Sequence, residues 1–499
     1  MKKDYIDTPL FTTLNEIKNK NYTLSATQYK SLNIKNKNTK HLFDFLDRKL
    51  IREDFGYEVG SECYVESSPY VFIKTKALQQ EFFLLDENKD SIQNITPHNY
   101  HEMSLKEGDL LISKDSNVGE IVILDKDYPN TMVCSGICKL PITKYKYYLL
   151  AFIKSDVYRQ QIDFLVPRGS TIRHGKTKFL ECLIPLPNIN SKETIKYVEL
   201  LMKAIINKEK EIRNKYNKII SDIQIELERN QNDKKFKYDL PNISEIINID
   251  RMDSSLYSED FKKKEFLITN YKYGVSSIKQ LGFDISRGQN LQISNIGKSI
   301  QTDIFRENYY TLVLPKFLSK FGTVYKKEYL GNPNELKILK KGDIIFGAEG
   351  NEKGRSLAII EEQNSTITNI HGITLNQKQH NLSKGIFIKL FLDYYRTKGM
   401  IDAYAVGGNG GSLAIRYWNY LKFPNFPNEK EQQIIKLYHN PNSNYEVNDL
   451  NLNDFLKYDN KFNQDAGIYE LDKSMRYLLN KLDNAINNIV DDLKVDIKF

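Results

Sequence analysis

The most constraining feature of this sequence is a long heptad pattern close to its middle. Over residues 191–230, apolar or large side chains recur in alternating steps of three and four, with one slot taken by Glu209. They are Ile195, Val198, Met202, Ile205, Ile212, Tyr216, Ile219 and Ile223. This spacing predicts a helix that packs along a partner helix. At 1.5 Å per residue, such a helix would be roughly 60 Å long, which is too long for the core of a small domain.

A second seam of the same kind lies near the end of the chain. Its members are Leu471, Met475, Leu478, Leu482, Ala485, Ile489 and Leu493. Each predicted rod follows a long, turn-rich segment, and the two segments have similar lengths. The sequence therefore predicts two globular units, each followed by a helical rod.

The composition is that of an ordinary globular protein, with 40% hydrophobic and 27% charged residues among 499. No apolar run approaches the ~20 residues that span a bilayer, and no apolar stretch follows the first lysines as in a signal peptide. The cysteines Cys63, Cys134, Cys138 and Cys182 have no CxxC spacing, which favours reduced thiols over a metal site. We therefore expect a cytoplasmic protein without a metal. The net charge of +8 fits a nucleic-acid binder, but also many other proteins.

Both turn-rich segments have a similar order of elements. In the first, strands are expected at 70–74 and 119–124, a helix over 147–164, a loop over 167–176 and a strand over 179–186. In the second, strands are expected at 310–314, 343–346 and 357–360, a helix over 386–400 and a glycine loop over 407–416.

Three landmarks recur in the same order and indicate an internal duplication. Gly108-Asp-Leu-Leu-Ile-Ser matches Gly342-Asp-Ile-Ile-Phe-Gly, at an offset of 234 residues. The loop Arg168-Gly-Ser-Thr-Ile-Arg has its counterpart in Gly410-Gly-Ser-Leu-Ala-Ile-Arg. Each is followed by a proline-rich strand that ends in Asn188 or Asn428, at an offset of 240. We predict two homologous domains.

The glycine-plus-hydroxyl loops are candidate contact sites. Such a loop can approach a ligand closely, expose backbone N–H groups and grip a phosphate with its terminal arginine. The alternative is a surface turn whose glycines only supply positive φ. The recurrence of the loop in both halves makes the two interpretations about equally supported.

These motifs, in this order and in duplicate, resemble the specificity subunit of type I restriction–modification systems. The resemblance rests on the paired landmarks, on the sequence Arg251-Met-Asp-Ser-Ser-Leu-Tyr at the start of the second unit, and on the helix after each unit. It covers roughly residues 45–499. The first 45 residues have no counterpart, and a polar, turn-rich segment at 440–467 interrupts the second rod.

The resemblance implies an α+β fold with two homologous mixed α/β target recognition domains, joined by long helices that pair as an antiparallel coiled coil. The expected domains are an N-terminal helical extension (1–45), target recognition domain 1 (46–190), a central coiled-coil helix (191–235), target recognition domain 2 (245–428) and a distal helical region with the second coiled-coil helix (429–499).

The resemblance also implies a non-catalytic subunit that reads a bipartite sequence in double-stranded DNA, one domain per half-site. Its expected partners are two methyltransferase subunits, which bind AdoMet and methylate adenine, and a restriction/translocase subunit; no cofactor is expected on this chain. The candidate DNA-binding residues are polar or basic loop residues: Lys114, Asn117, Arg168, Ser170, Arg173, Lys176, Asn351, Lys353, Arg355, Asn409, Ser412 and Arg416.

Other functions are less well supported by the sequence. It contains neither an AdoMet-binding glycine loop with an Asn/Asp-Pro-Pro-aromatic stretch nor a Walker A motif. The acidic stretch 347–354 resembles part of a nuclease site, but no upstream aspartate accompanies it. A stand-alone DNA-binding regulator, a DNA-recognition adaptor of another phage-defence complex and a coiled-coil scaffold remain alternatives.

Overall fold

The computed structural model describes residues 4–88, 90–166, 174–350, 353–361, 365–407 and 411–499. The chain forms two compact units. The first comprises Met1–Glu211, Asn444–Gln464 and Leu471–Phe499, and the second comprises Ile212–Ser443 and Asp465–Glu470. No helix in the described ranges is long and apolar enough to cross a membrane.

The strands of the described residues are short. They are β1 (Ile6–Asp7), β2 (Ser31–Leu32), β3 (Thr39–His41), β4 (Tyr64–Val65), β5 (Val71–Ile73), β6 (Ile92–Ile95), β7 (Leu110–Ser113), β8 (Ile121–Ile123), β9 (Thr131–Val133), β10 (Ile137–Leu140), β11 (Leu183–Pro185), β12 (Val275–Ser277), β13 (Phe283–Arg287), β14 (Ile300–Thr302), β15 (Tyr310–Leu312), β16 (Glu328–Gly331), β17 (Ile344–Gly347), β18 (Ser356–Ala358), β19 (Gly372–Gln377) and β20 (Lys422–Pro424).

The helices range from four to 39 residues. They are α1 (Leu14–Asn19), α2 (Lys146–Lys154), α3 (Asp156–Leu165), α4 (Ser191–Arg229), α5 (Ile243–Ile249), α6 (Ser254–Tyr257), α7 (Glu259–Thr269), α8 (Ile293–Ile296), α9 (Leu382–Thr397), α10 (Met400–Tyr404), α11 (Asn428–Tyr438), α12 (Phe455–Asp465) and α13 (Ile468–Val490).

In the first unit, a four-stranded sheet (β4-β6-β5-β9) and a three-stranded sheet (β10-β7-β8) share a core. The three-stranded sheet is buried on both faces. Leu111 points into the core shared with the other sheet, whereas its neighbours Leu110 and Ile112 pack in the core that includes α2, α3 and α4. This alternation follows from the two-residue period of a strand. It explains why the run after Gly108-Asp is continuously apolar.

The second unit repeats this topology. Its sheet β14-β16-β15 has the order of β4-β6-β5, its sheet β19-β17-β18 has the order of β10-β7-β8, and the pair β12-β20 corresponds to β3-β11. The second unit adds β13 beside β19. The duplication predicted from the three landmarks is therefore confirmed, as is the α+β fold implied by the resemblance. We call the copy that contains β3–β11 the first repeat and the copy that contains β12–β20 the second repeat.

The central helix α4 has 39 residues and is about 58 Å long at 1.5 Å per residue. In the first unit, Val198 and Met202 lie in the same hydrophobic core as Leu478 and Leu482 of α13. The two helices run antiparallel, because Asn188, just before α4, donates a hydrogen bond of 2.8 Å to Asp492, just after α13. The predicted pairing of the two rods is confirmed.

The polar interruption of the heptad pattern has a structural reason. Glu209 is buried on α4, and its carboxylate accepts a 2.7 Å hydrogen bond from the backbone N–H of Phe83 in the first repeat. The seam position is thus used to attach the first repeat to the helix, since an unpaired carboxylate at this depth would be costly.

The second rod differs from expectation in two places. The segment 440–467 was expected to be a polar, turn-rich insertion, but it contains the helix α12, whose Phe455 and Phe462 are buried at a spacing of seven. Leu493 was expected in the seam, but it is 57% exposed. Helix α13 ends at Val490, where Asp492 takes a φ of +59° and the N–H of Leu493 bonds back to Asn488 O. This reversal ends the seam before Leu493.

Two predicted elements of the first repeat are divided. The helix expected over 147–164 is two helices, because Ser155 is extended and its hydroxyl donates to Phe152 O at the end of α2. The strand expected over 179–186 begins as a 3-10 turn, Lys178–Glu181, before β11. Residues 1–45, expected to be helical, contain the six-residue α1 together with β1, β2 and β3.

Candidate functional site

In the first repeat, the loop between β7 and β8 is the central element of the candidate site. The loop is closed by a 2.8 Å hydrogen bond from Gly119 N to Ser113 O, and the Ser113 hydroxyl donates to Asp115 O at 2.7 Å. Asn117 lies at the exposed end of this loop. A short loop on a fully buried strand pair is a rigid platform for a few exposed polar groups.

The loop after α3 packs directly against this hairpin loop. Gly175 N donates to Lys114 O at 2.8 Å. A Cβ on Gly175 would lie 2.5 Å from Val118 Cγ1 and 3.0 Å from Lys114 O, so only glycine allows this approach. Gly175 therefore brings the two loops together, and the exposed Lys176 follows it.

The contact between these two loops carries a group of three charged or ionisable side chains. The carboxylate of Asp115 lies 2.9 Å from Lys114 Nζ and 3.0 Å from His174 Nδ1. Asp115 is partly buried, whereas the imidazole of His174 is largely exposed. The two carboxylate oxygens of Asp115 therefore lie between the Lys114 ammonium group and the His174 imidazole.

The second repeat has an equivalent group. Glu349, in the loop between β17 and β18, lies 234 residues after Asp115, which is the offset of the Gly-Asp landmark. Its carboxylate contacts Arg287 Nη1 at 3.0 Å and His371 Nδ1 at 2.7 Å. Glu349 also forms a backbone bridge to Ser412 of the glycine loop, as Asp115 does to His174. Each repeat thus joins its hairpin loop and its second loop at an acidic residue.

The described candidates from the sequence differ in their surroundings. Lys353 is only 10% exposed and pairs with Asp402 at 2.7 Å, and Arg355 donates to Leu318 O at 2.8 Å. Both side chains therefore stabilise the second repeat. Arg416 is exposed and contacts Asp250 at 3.1 Å. The hydroxyl of Tyr417, 2.6 Å from Arg416 Nη2, raises the pKa of Arg416 above its ordinary value.

The other candidates fall into two groups. Arg168, Ser170, Arg173, Asn351 and Asn409 lie outside the described residues. Lys114, Asn117 and Lys176 lie on the paired loops of the first repeat, and Ser412 lies on the glycine loop of the second.

Sequence reasoning missed five of the six residues in the two groups that contain Asp115 and Glu349; only Lys114 was a candidate. The acidic residues could have been found, because both lie at the offset of the landmark. His174 lies inside the motif loop, but its pairing has no sequence signal. Arg287 and His371 come together only because β13 and β19 pair, with Arg287 opposite Ile373. The described residues contain no cluster of three or more His, Cys, Asp and Glu that could hold a metal ion.

Comparison with known proteins gives the following matches. Residues 60–218 match the family model of the Type I restriction modification DNA specificity domain. No curated protein matches the chain. The S subunit of a Type-I restriction-modification system from M. genitalium is 14% identical, with 89% of this chain and 95% of that chain covered, at a TM-score of 0.36. The HsdS subunit from Thermoanaerobacter tengcongensis is 12% identical, with 87% and 95% covered, at a TM-score of 0.27.

A third solved structure comes from work on complex assembly and conformational transition of the type I R-M system. It is 10% identical, with 91% of this chain and 97% of that chain covered, at a TM-score of 0.27. The family match itself spans most of the first repeat and more than half of α4.

Proposed function

We propose that this chain, which is a non-catalytic DNA specificity subunit of the type I restriction–modification family, reads a bipartite target with one repeat for each half-site. The observation that carries the proposal is the duplicated topology. The strand orders β4-β6-β5 and β10-β7-β8 of the first unit recur as β14-β16-β15 and β19-β17-β18 in the second, and each unit carries a hairpin loop held against a second loop. Two homologous readers in one chain suit a target of two separate parts.

The paired loops are the proposed reading surfaces. Their exposed groups include Asn117 and Lys176 in the first repeat and Arg416 in the second, where Ser412 is half-buried. Lysine and arginine contacts to phosphates would set the register on the duplex, and the polar groups at the loop ends would contact base edges in the major groove. The net charge of +8 favours such binding.

Helix α4 is the proposed spacer between the two repeats that read the half-sites. One heptad of α-helix is about 10.5 Å long, and base pairs are stacked at about 3.4 Å. One heptad therefore corresponds to about three base pairs. The proposed target is two short half-sites separated by a gap of unread base pairs.

The family implies a complex with DNA and with methyltransferase and restriction subunits. We propose two methyltransferase subunits, one for each repeat, which bind AdoMet and methylate an adenine in each half-site. A restriction/translocase subunit would complete the complex. The proposed location of the chain is the cytoplasm, where the target DNA is accessible.

The test is sequencing of DNA methylated by the full chain co-expressed with its methyltransferase subunit. A split adenine motif is expected. A helical seven-residue insertion after Glu211 in α4 should widen the gap by about three base pairs. The control is the same insertion after the exposed Leu10, which lies outside the spacer and should leave the gap unchanged. A continuous motif, or a gap that ignores the insertion in α4, would contradict the proposal.

A further inference from the structure

We propose that Asp115 and Glu349 are specificity-determining residues, and that each accepts a hydrogen bond from the N4 amino group of a cytosine in its own half-site. This inference rests on the proposed function and names the readout of each repeat. It comes from two groups of like composition around equivalent acidic positions, Lys114–Asp115–His174 and Arg287–Glu349–His371.

The two acidic residues occupy equivalent positions. They share the offset of 234 residues that relates the Gly-Asp landmarks, and each lies in the loop of an antiparallel hairpin, β7–β8 in the first repeat and β17–β18 in the second. Each carboxylate has one cation and one imidazole at 2.7–3.0 Å. The imidazoles and cations come from non-equivalent positions, so the arrangement is reached in two different ways around the same acidic position.

A carboxylate in a loop that faces DNA is repelled by the phosphates, so it is tolerated only where nearby cations offset its charge. Both acidic residues have such neighbours. The carboxylates are also partly exposed, with the side chains of Asp115 and Glu349 at 17% and 38% exposure beside the more exposed imidazoles of His174 and His371.

The hydrogen-bonding groups of each cluster complement those of a cytosine–guanine pair. An ionised carboxylate only accepts hydrogen bonds, and in the major groove the N4 amino group of cytosine is a donor that Asp and Glu recognise. The adjacent cation, Lys114 or Arg287, suits the O6 and N7 acceptors of the paired guanine. Each group therefore matches a cytosine–guanine pair.

The alternative is that each acidic residue only fastens the hairpin loop to the second loop, as its backbone bridge does. The two roles differ in their consequence for base preference. A carboxamide keeps an acceptor oxygen and adds donors, which suits the N6 and N7 of adenine. Replacement by the carboxamide should therefore change the preferred base only if the side chain contacts that base.

The experiment is selection of the full chain on a library of random double-stranded DNA, followed by sequencing. Asp115→Asn should shift one position of one half-site from cytosine towards adenine, by about tenfold or more in relative enrichment. Glu349→Gln should do the same in the other half-site only. The matched controls are Asp90→Asn and Asp284→Asn, exposed acids in salt bridges elsewhere on the two units, which should leave every position unchanged.

A second measurement uses the wild-type chain, so it does not depend on how the variants fold. N4-methylcytosine, placed at one cytosine of the selected target at a time, replaces the amino hydrogen that faces the major groove. One such position in each half-site should weaken binding by about tenfold.

The outcomes separate the two proposals. Variants that bind all sequences more weakly but keep the wild-type preference, or a target that tolerates N4-methylcytosine throughout, would overturn the readout and leave the bipartite function intact. A wild-type chain that enriches no split sequence would overturn the bipartite function, and the inference with it.

Discussion

Removal of the negative charge of Asp459 should destabilise the first unit strongly. The side chains of Lys208 on α4 and Asp459 on α12 are both 0% exposed and lie 2.7 Å apart. Asp459 also accepts hydrogen bonds from the Tyr445 hydroxyl at 2.7 Å and from Asn463 Nδ2 at 3.1 Å. Burial lowers the pKa of Lys208 to about 8, against the attraction of Asp459, which raises it.

The substitution Asp459→Asn keeps the shape of the side chain but leaves the ammonium group of Lys208 buried without its counter-charge. Breaking a buried pair in this way costs about 3–5 kcal/mol. For a unit of this size, 1 kcal/mol corresponds to a change of about 2–4 °C in Tm. The expected loss is therefore about 6–20 °C.

The assay is urea unfolding with calorimetry on the full chain, arranged as a double-mutant cycle. The double variant Lys208→Met/Asp459→Asn, compared with each single variant, should recover most of the loss, because no buried charge remains. Asp222→Asn, in the exposed pair with Lys218 on the same helix, should cost only about 0.3–0.5 kcal/mol. A cost below about 1 kcal/mol for Asp459→Asn, or no recovery in the double variant, would refute the reasoning.

Three further changes test other parts of the chain. Asp393→Asn should destabilise the second unit by about 3–5 kcal/mol in urea unfolding, because Lys389, 2.6 Å away, is also completely buried; a negligible cost would contradict this. Burial raises the pKa of Glu431 to about 7, so the stabilising contribution of this carboxyl is present below pH ~4.5 and is lost as the pH rises through 7. In urea unfolding, Glu431→Gln should therefore be more stable than wild type at pH 8 and equal to it at pH 4. Equal unfolding curves at both pH values would refute the raised pKa. Arg416→Glu should weaken DNA binding evenly across sequences and reduce the slope of log affinity against log salt concentration by about 1–2. The control is Lys237→Glu, at an exposed lysine between α4 and α5. Unchanged DNA binding of Arg416→Glu at physiological salt would count against a DNA contact by the glycine loop.

The sequence predicted the architecture well where the signal was periodic or repeated. The heptad window of residues 191–230 predicts the end of α4 to within one residue, because a seam of this length can be satisfied only by a helix. The boundary of 235 implied by the resemblance lies six residues beyond the observed end at Arg229. The failures lie where single side chains override a pattern. The hydroxyl of Ser155 divides a helix, and the left-handed φ of Asp492 removes Leu493 from its seam. Neither event alters the periodicity that the prediction used.

The candidate site was less predictable, for a physical reason. Exposed loop residues were selected by type, and type does not reveal the partner. Lys353 is of a residue type that often contacts DNA, but it pairs with Asp402, and Arg355 donates a hydrogen bond to a backbone carbonyl. Conversely, Arg287 and His371 belong to no motif and meet only through strand pairing. Long-range pairing of this kind is not encoded in local spacing.

The buried charges of α4 point to what the helix must specify besides length. Lys208 and Glu209 are adjacent, so they lie about 100° apart around the helix. Lys208 bonds to α12, whereas Glu209 bonds to Phe83 of the first repeat. Apolar contacts alone tolerate small rotations and shifts of a helix, but two buried charges with separate partners do not, because each is costly when unpaired. The helix is therefore fixed in rotation and register against the first repeat, as the proposed role of a spacer would require.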